Sequence, residues 1–139
     1  MGCIPSKALL DSSEHYHNAA HKFEQHGIGV SGLQVNMPQM VKRKNEVVDA
    51  TTKGIDFLMK KNKIEVFKGH GSFVNANKIS IAKPDGTTEE IETDKAIIAT
   101  GSKPIVPEAF NYDKKRVITS TEALNIDAVP KRMVIIGGG

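Results

Sequence analysis

The chain has 139 residues, of which 39% are hydrophobic and 25% are charged, and its formal net charge is +3. These proportions are typical of a globular domain and argue against a disordered chain, which buries too little apolar surface to fold. A single cysteine excludes an internal disulfide, no apolar run approaches the ~20 residues of a membrane-spanning helix, and the small charge excess with few aromatics does not support a nucleic-acid partner.

Two helices are predicted in the first half of the chain. The first covers about residues 5–25, where apolar residues recur at three- and four-residue steps and Pro5 stands at the first helical position. Gly27 is a suitable residue to end it. The second helix begins after Asn36, a favourable N-cap, and keeps a helical period to about Asn62. A helix of that length must pack along a large surface, which a partner subunit could supply.

A β-rich part follows the helices. Residues 64–67 predict a short strand, and Gly69 and Gly71 after it predict a bend in the backbone. Residues 78–82 and 89–92 alternate apolar and polar side chains around a turn at residues 84–87. We expect these two segments to form a hairpin with one solvated face. The continuous apolar run at residues 96–99 predicts a parallel strand that is buried on both faces.

The last third of the chain predicts short elements and a glycine turn. Val117 and Ile118 indicate a brief strand, and Ser120 opens a short helix. The apolar residues 133–136 then run into three glycines, which is half of a nucleotide-binding βαβ unit. We therefore expect an α/β fold and an internal piece of a longer chain. The start lacks the apolar stretch of a signal peptide, and we expect a cytoplasmic location.

Cys3 is a candidate for redox or nucleophilic chemistry. It stands at the beginning of the first predicted helix with Lys7 one turn further on, and both the helix dipole and a nearby cation favour a thiolate over a thiol. A buried cysteine that acts as a small hydrophobic residue is the equally weighted alternative. Because no second cysteine exists in the chain, a redox partner for Cys3 would have to come from elsewhere.

Two groups of glycines and one histidine pair are further candidates for binding sites. Thr100, Gly101 and Ser102 follow the predicted buried strand, where α/β sheets bind ligands, and Gly71 could also let backbone approach a cofactor. Ordinary turn glycines are the alternative. His17 and His21 share one helix face, but no third ligand completes a metal site, so we predict no metal centre.

Four segments together resemble a known family. They are residues 2–10 around Cys-Ile-Pro-Ser-Lys, residues 93–101 ending in Ala-Thr-Gly, residues 120–124 and the terminal glycines, and they occur in the order found in the flavin-dependent pyridine nucleotide–disulfide oxidoreductases. The Cys-Ile-Pro-Ser-Lys form is similar to the branch that oxidises dihydrolipoamide. Other disulfide reductases of the family, such as the glutathione and mercuric reductases, remain an alternative.

The resemblance implies FAD and NAD as cofactors of a parent enzyme. Residues 1–132 would form a partial FAD-binding domain that lacks the N-terminal ADP-binding βαβ unit, and residues 133–139 would begin the NAD-binding domain. Cys3 would be the redox cysteine nearest the flavin, and Lys7 would lie beside its isoalloxazine ring. The remaining cofactor-binding candidates are Gly71, Thr100, Gly101, Ser102, Gly137, Gly138 and Gly139.

The resemblance also implies partners for the parent enzyme and a limit on the activity of this chain. The parent would be a homodimer that oxidises dihydrolipoamide on the lipoyl domain of 2-oxo acid dehydrogenase complexes and reduces NAD⁺. The family uses two cysteines separated by four residues, and only the second is present here. The resemblance also implies that a catalytic His–Glu pair, supplied in the family by a later dimer-interface domain, is missing here. We therefore expect the 139 residues alone to be inactive. The alternative interpretation is a non-catalytic binding or assembly module, which the length of the second predicted helix suggests.

Overall fold

The structure is a computed structural model that describes residues 2–137. The chain forms two compact units, one comprising residues 1–52 with 103–139 and the other residues 53–102. The order of elements is α1 (Cys3–His21), a 3-10 helix (Phe23–His26), α2 (Met37–Lys61), β1 (His70–Asn75), β2 (Lys78–Ala82), β3 (Thr88–Glu92), a 3-10 helix (Glu108–Phe110) and α3 (Ser120–Ala123). Helices with a small sheet confirm the α/β class. The predicted domain boundary at residues 132 and 133 stays a prediction.

Helix α1 begins two residues earlier than predicted. Its first backbone hydrogen bond runs from the Ser6 amide to the Gly2 carbonyl, over 3.0 Å, so Pro5 occupies the third helical position rather than the first. The first residues of any helix have amides without an intrahelical acceptor, and a proline among them costs no hydrogen bond. Gly27 has a φ of +75° and ends the following 3-10 helix, which confirms the predicted stop.

Helix α2 confirms the long second helix, with 25 residues. The Asn36 side chain accepts a hydrogen bond from the Gln39 amide over 3.0 Å, as the predicted N-cap requires. The division between the two units falls within this helix. Several apolar side chains in its second half are exposed within the described residues, among them Ile55, Phe57 and Leu58.

In the first unit, two basic residues of α2 form hydrogen bonds with other segments of the chain. Arg43 contacts α1, as described below, and Lys44 is 4% exposed. Lys44 Nζ donates to the Leu124 carbonyl at 3.1 Å and to Asn125 Oδ1 at 2.6 Å. These contacts fasten the end of α3 to α2, so residues about 80 positions apart share one local structure.

The second unit contains an antiparallel sheet in the order β1-β2-β3. β2 and β3 confirm the predicted hairpin, with Ile79 opposite Ile91 and Ile81 opposite Glu89. β1 was not predicted, because Gly69 and Gly71 suggested a bend. Gly71 instead lies inside β1, opposite Ile81. At Gly69, an added Cβ would lie 2.5 Å from the Ala82 carbonyl oxygen, so glycine is needed there for chain packing.

Four predicted strands do not form within the described residues: 64–67, 96–99, 117–118 and 133–136. The clearest case is the run 96–99, expected to be buried, in which Ile97 is 94% exposed. A strand needs a neighbour to satisfy its amides and carbonyls. None of these segments pairs with another part of residues 2–137, so the apolar pattern alone does not produce a strand.

No helix among residues 2–137 combines the length and apolar character needed to cross a bilayer.

Candidate functional site

The first turn of α1 carries the predicted redox group. Cys3 is the first residue of the helix and its thiol is exposed. The alternative of a buried, inert cysteine is therefore not what the structure shows. Lys7 is also exposed and follows four residues later, a spacing that places two side chains on the same helix face. One face of α1 thus presents a thiol and an amine to solvent.

Arg43 fixes α1 one turn beyond this pair. Its Nη1 donates to the Ala8 carbonyl at 3.0 Å and to Ser12 Oγ at 3.2 Å. Its Nη2 donates to Asp11 Oδ2 at 2.6 Å. Ala8 itself is 6% exposed. A planar guanidinium with several directed donors holds one geometry better than a flexible amine, so the orientation of α1 on α2 is set close to Cys3 and Lys7.

The segment at residues 100–102 is an irregular, solvent-exposed stretch of backbone. Gly101 has a φ of +74°, in the left-handed region, and no heavy atom lies within 4 Å of the position that a Cβ would take. Thr100 and Ser102 are exposed, and no hydrogen bond among residues 2–137 uses their hydroxyl groups. The space and the free hydroxyls fit a bound polar cofactor such as FAD.

The other predicted glycines give less support. A Cβ at Gly71 would lie 3.7 Å from Cγ2 of Ile79, an ordinary contact, so the structure supplies no steric reason for glycine at this position. Gly137 has a φ of +93°, in the left-handed region that favours glycine. The predicted nucleotide-binding residues Gly138 and Gly139 lie outside the described residues. The roles of all the predicted site residues stay predictions.

A polar cluster at the start of α3 was not among the residues predicted for a site. Thr119 and Glu122 form a reciprocal capping box, in which the Glu122 side chain accepts from the Thr119 amide at 2.8 Å and from the Thr119 hydroxyl at 2.7 Å. The Tyr112 hydroxyl donates to the same carboxylate at 2.8 Å. The spacing Thr-x-x-Glu is the sequence signal that would have found this cap.

These hydrogen bonds change the acidity of both partners. The Thr119 hydroxyl, followed by the Thr119 amide and Tyr112, lowers the pKa of Glu122 from 4.5 to about 2. The hydrogen bond to Glu122 raises the pKa of Tyr112 above its ordinary value. Bonds to a carboxylate favour its charged form, which explains both directions. The cluster caps a helix and offers no free acid for chemistry.

The chain belongs to the pyridine nucleotide-disulphide oxidoreductase family, whose model matches residues 1–139. The predicted family is therefore confirmed.

Individual relatives narrow the resemblance. The chain is 44% identical over 140 residues to the mitochondrial dihydrolipoyl dehydrogenase of Schizosaccharomyces pombe, covering 100% of this chain and 27% of the relative. It is 42% identical over 139 residues to the mitochondrial dihydrolipoyl dehydrogenase 1 of Arabidopsis thaliana, again covering 100% and 27%. The chain thus spans little more than a quarter of these relatives.

A solved structure supports the fold. LpdA from Mycobacterium tuberculosis superposes with a TM-score of 0.80 at 23% identity, covering 92% of this chain and 28% of that one. At this identity the likeness concerns the fold alone. It confirms that the helices and the antiparallel sheet belong to a fold found in part of a larger protein.

Proposed function

We propose that the chain supplies the redox-thiol helix and part of the FAD-binding domain of a dihydrolipoyl dehydrogenase. The observation that carries the proposal is the exposed Cys3 at the start of α1, with Lys7 one turn later. Its support from other proteins is the 42–44% identity to dihydrolipoyl dehydrogenases along the whole chain.

The residues of this chain would divide the work as follows. Cys3 offers its sulfur as one half of a redox disulfide, and Lys7 supplies a positive charge that stabilises negative charge developing nearby. Thr100, Gly101 and Ser102 would bind FAD through hydroxyl and backbone groups. When bound, FAD supplies two-electron transfer between a dithiol and NAD⁺.

A dithiol–disulfide cycle needs two sulfur atoms, and Cys3 is the single cysteine of the 139 residues. Oxidation of dihydrolipoamide to its disulfide releases two electrons and two protons, which a lone thiol cannot accept by disulfide exchange. We therefore propose that the chain does not turn over substrate unless a second redox cysteine is supplied.

A chimera tests this proposal directly. The chain would replace the matching 140-residue segment of the Schizosaccharomyces pombe enzyme, with the rest of that protein, including its upstream part, retained. We expect NADH formation from dihydrolipoamide and NAD⁺. Replacing Lys7 with Met should lower the rate by about 10²-fold, the size of effect that one stabilising charge commonly has.

The matched control is the same chimera with Cys3→Ser, which keeps the size of the side chain and removes the sulfur chemistry. We expect it to retain bound FAD and to lose dihydrolipoamide oxidation. Equal rates for the chimera with and without the Cys3→Ser substitution would refute the assigned role of Cys3. Activity with glutathione disulfide and none with dihydrolipoamide would instead favour another reductase branch of the family.

The proposed partners follow from the same role. We propose that the whole enzyme is a homodimer, acts on dihydrolipoamide carried by lipoyl domains of 2-oxo acid dehydrogenase complexes, and uses NAD⁺. We also propose a cytoplasmic location, although the two relatives above are named as mitochondrial proteins. Fractionation of cells that express the tagged natural protein would decide the compartment.

An assembly module is the second candidate, because Ile55, Phe57 and Leu58 of α2 are 44–64% exposed. Size-exclusion chromatography with light scattering distinguishes the two. A functional assembly module should give one defined oligomer larger than a monomer, whereas a partial enzyme domain should give no defined oligomer.

A further inference from the structure

The sequence predicts no closed metal centre at His17 and His21 because a third ligand is missing, but we propose that the two histidines form an open two-ligand chelate for a divalent late transition metal on the exposed face of α1. The proposal is independent of the redox role of Cys3. Both imidazoles are exposed, and their ring centroids lie 4.7 Å apart with the ring planes inclined at 48°. They stand in the last turn and a half of a 19-residue helix, which holds their backbones at a fixed separation.

The ring separation suits one shared ion. Metal–imidazole bonds of about 2.0–2.1 Å require the two ligand nitrogens of one ion to lie within about 4 Å of each other. The centroids of the two rings lie 4.7 Å apart, and rotation about the side-chain torsions of each histidine turns its nitrogens relative to the other ring. The i, i+4 spacing on one helix therefore places the two imidazoles side by side, where one ion can bridge them.

The ligand type selects the class of metal. Neutral imidazole prefers Ni²⁺, Cu²⁺ and Zn²⁺, whereas Mg²⁺ and Ca²⁺ prefer carboxylate and carbonyl oxygens. Among residues 2–137 no group of three or more His, Cys, Asp or Glu side chains is placed to hold a metal. The site is consequently an open one, in which two positions come from the protein and solvent supplies the others.

His15 provides a matched control on the same helix. It is exposed like the pair, but its Nε2 lies 3.8 Å from Asp11 Oδ1 and its i+4 neighbour is Ala19. Two residues along a helix also turn the side chain to the opposite face from His17. His15 therefore has the same chemistry as His17 without the second imidazole.

The experiment uses the full 139-residue chain with Cys3→Ser, because the exposed thiol would compete for the same ions. Isothermal titration with NiCl₂ should show one ion bound per chain. Adding His17→Asn or His21→Asn should weaken the affinity by about 10–100-fold or more, since even the loss of an outer partner of a ligand has that effect. Adding His15→Asn should leave the affinity within about twofold, because side chains two residues apart on a helix do not face each other.

Helix stability gives a second readout. Because only the folded helix brings the imidazoles together, bound Ni²⁺ should raise the thermal midpoint followed by circular dichroism. The rise should occur with His15→Asn and not with His17→Asn, whose metal-free spectrum first shows that its helix is intact. Equal loss of binding in the His15 and His17 variants, or no binding by the parent chain at millimolar Ni²⁺, would overturn the proposal.

Discussion

The β2–β3 hairpin and residues 96–99 lie in the same unit, yet only the hairpin forms strands. The hairpin has five residues in each strand, with alternating burial in β3. Residues 96–99 are the more apolar segment, and Ile97 and Ile98 are 94% and 74% exposed. The comparison shows that a strand depends on its partner more than on its own hydrophobicity.

In the hairpin, each strand has the other strand as its pairing partner, because a short turn joins them. The Lys83 amide donates to the Thr87 carbonyl over 2.8 Å, and Asp85 Oδ1 accepts from the Thr87 amide over 2.9 Å. Lys78 and Glu90 form an ion pair at 3.2 Å across the two strands. All these contacts join residues close in sequence, so closing the loop costs little entropy. Residues 96–99 have no such neighbour among the described residues, and their apolar side chains stay in solvent.

Two isoleucines give the largest expected difference. Ile81 is 5% exposed and Ile97 is 94% exposed. Ile81→Ala should destabilise the sheet by about 2–5 kcal/mol, through lost burial and a cavity. Ile97→Ala should change stability by less than about 0.5 kcal/mol. Hydrogen exchange of the β2 amides measures both, and a comparable loss of protection in the two variants would contradict the contrast.

A contact between distant residues should have a smaller effect than the sheet core. Asn125→Ala removes one of the two acceptors of the buried Lys44 Nζ. We expect a loss of about 1–3 kcal/mol, because a buried donor is then left under-satisfied. Urea unfolding followed through a probe near α3 would measure it.

Asn45→Ala is the control for that change. Asn45 is exposed on α2, the helix that carries Lys44, and makes no side-chain hydrogen bond among the described residues. If Asn45→Ala lowers the free energy of unfolding as much as Asn125→Ala does, the contact of Lys44 with Asn125 does not stabilise the chain. If only Asn125→Ala lowers it, contacts between distant residues stabilise this unit as local contacts stabilise the hairpin.

The capping box of α3 is a local contact like the hairpin turn, and it should respond weakly to acid. Because the pKa of Glu122 is lowered from 4.5 to about 2, the carboxylate stabilises the helix start above about pH 4.5. That contribution is lost as the pH falls towards 2, where the group binds a proton. Side-chain NMR of Glu122 should give a midpoint near 2.

Thr119→Ala tests the cause of that shift. It removes the hydroxyl that contributes most to the low pKa of Glu122, so the midpoint should move up towards the ordinary value. An unchanged midpoint would mean that the hydrogen bonds in the structure do not control the titration.

Local signals predicted most of what forms. The N-cap at Asn36, the stop at Gly27 and the turn at residues 84–87 each depend on a few neighbouring residues, and each is confirmed. The sequence does not predict β1, because Gly71 and the preceding Gly69 favour a bend, and Gly71 is a strand residue only because β2 lies beside it. The strands at residues 96–99 and 133–136 were predicted from hydrophobicity, which does not reveal whether a partner is present.

The candidate site likewise has one part that the sequence predicts and one part that it does not. The thiol at a helix start was predictable, because a helix start and a cysteine are both visible in the sequence. The Arg43 contacts with Ala8, Asp11 and Ser12 were not, since they join residues more than 30 positions apart. No periodicity in one sequence identifies which arginine meets which turn of another helix.

At Gly101 the room for a side chain and the backbone conformation set different requirements. Room for a methyl group exists there, but the φ of +74° suits only a residue that tolerates the left-handed region. An L-alanine would be strained although its Cβ touches nothing, whereas its mirror-image D-alanine, introduced by chemical ligation, would adopt the same backbone φ without strain. The requirement at this position is therefore one of chirality and not of size.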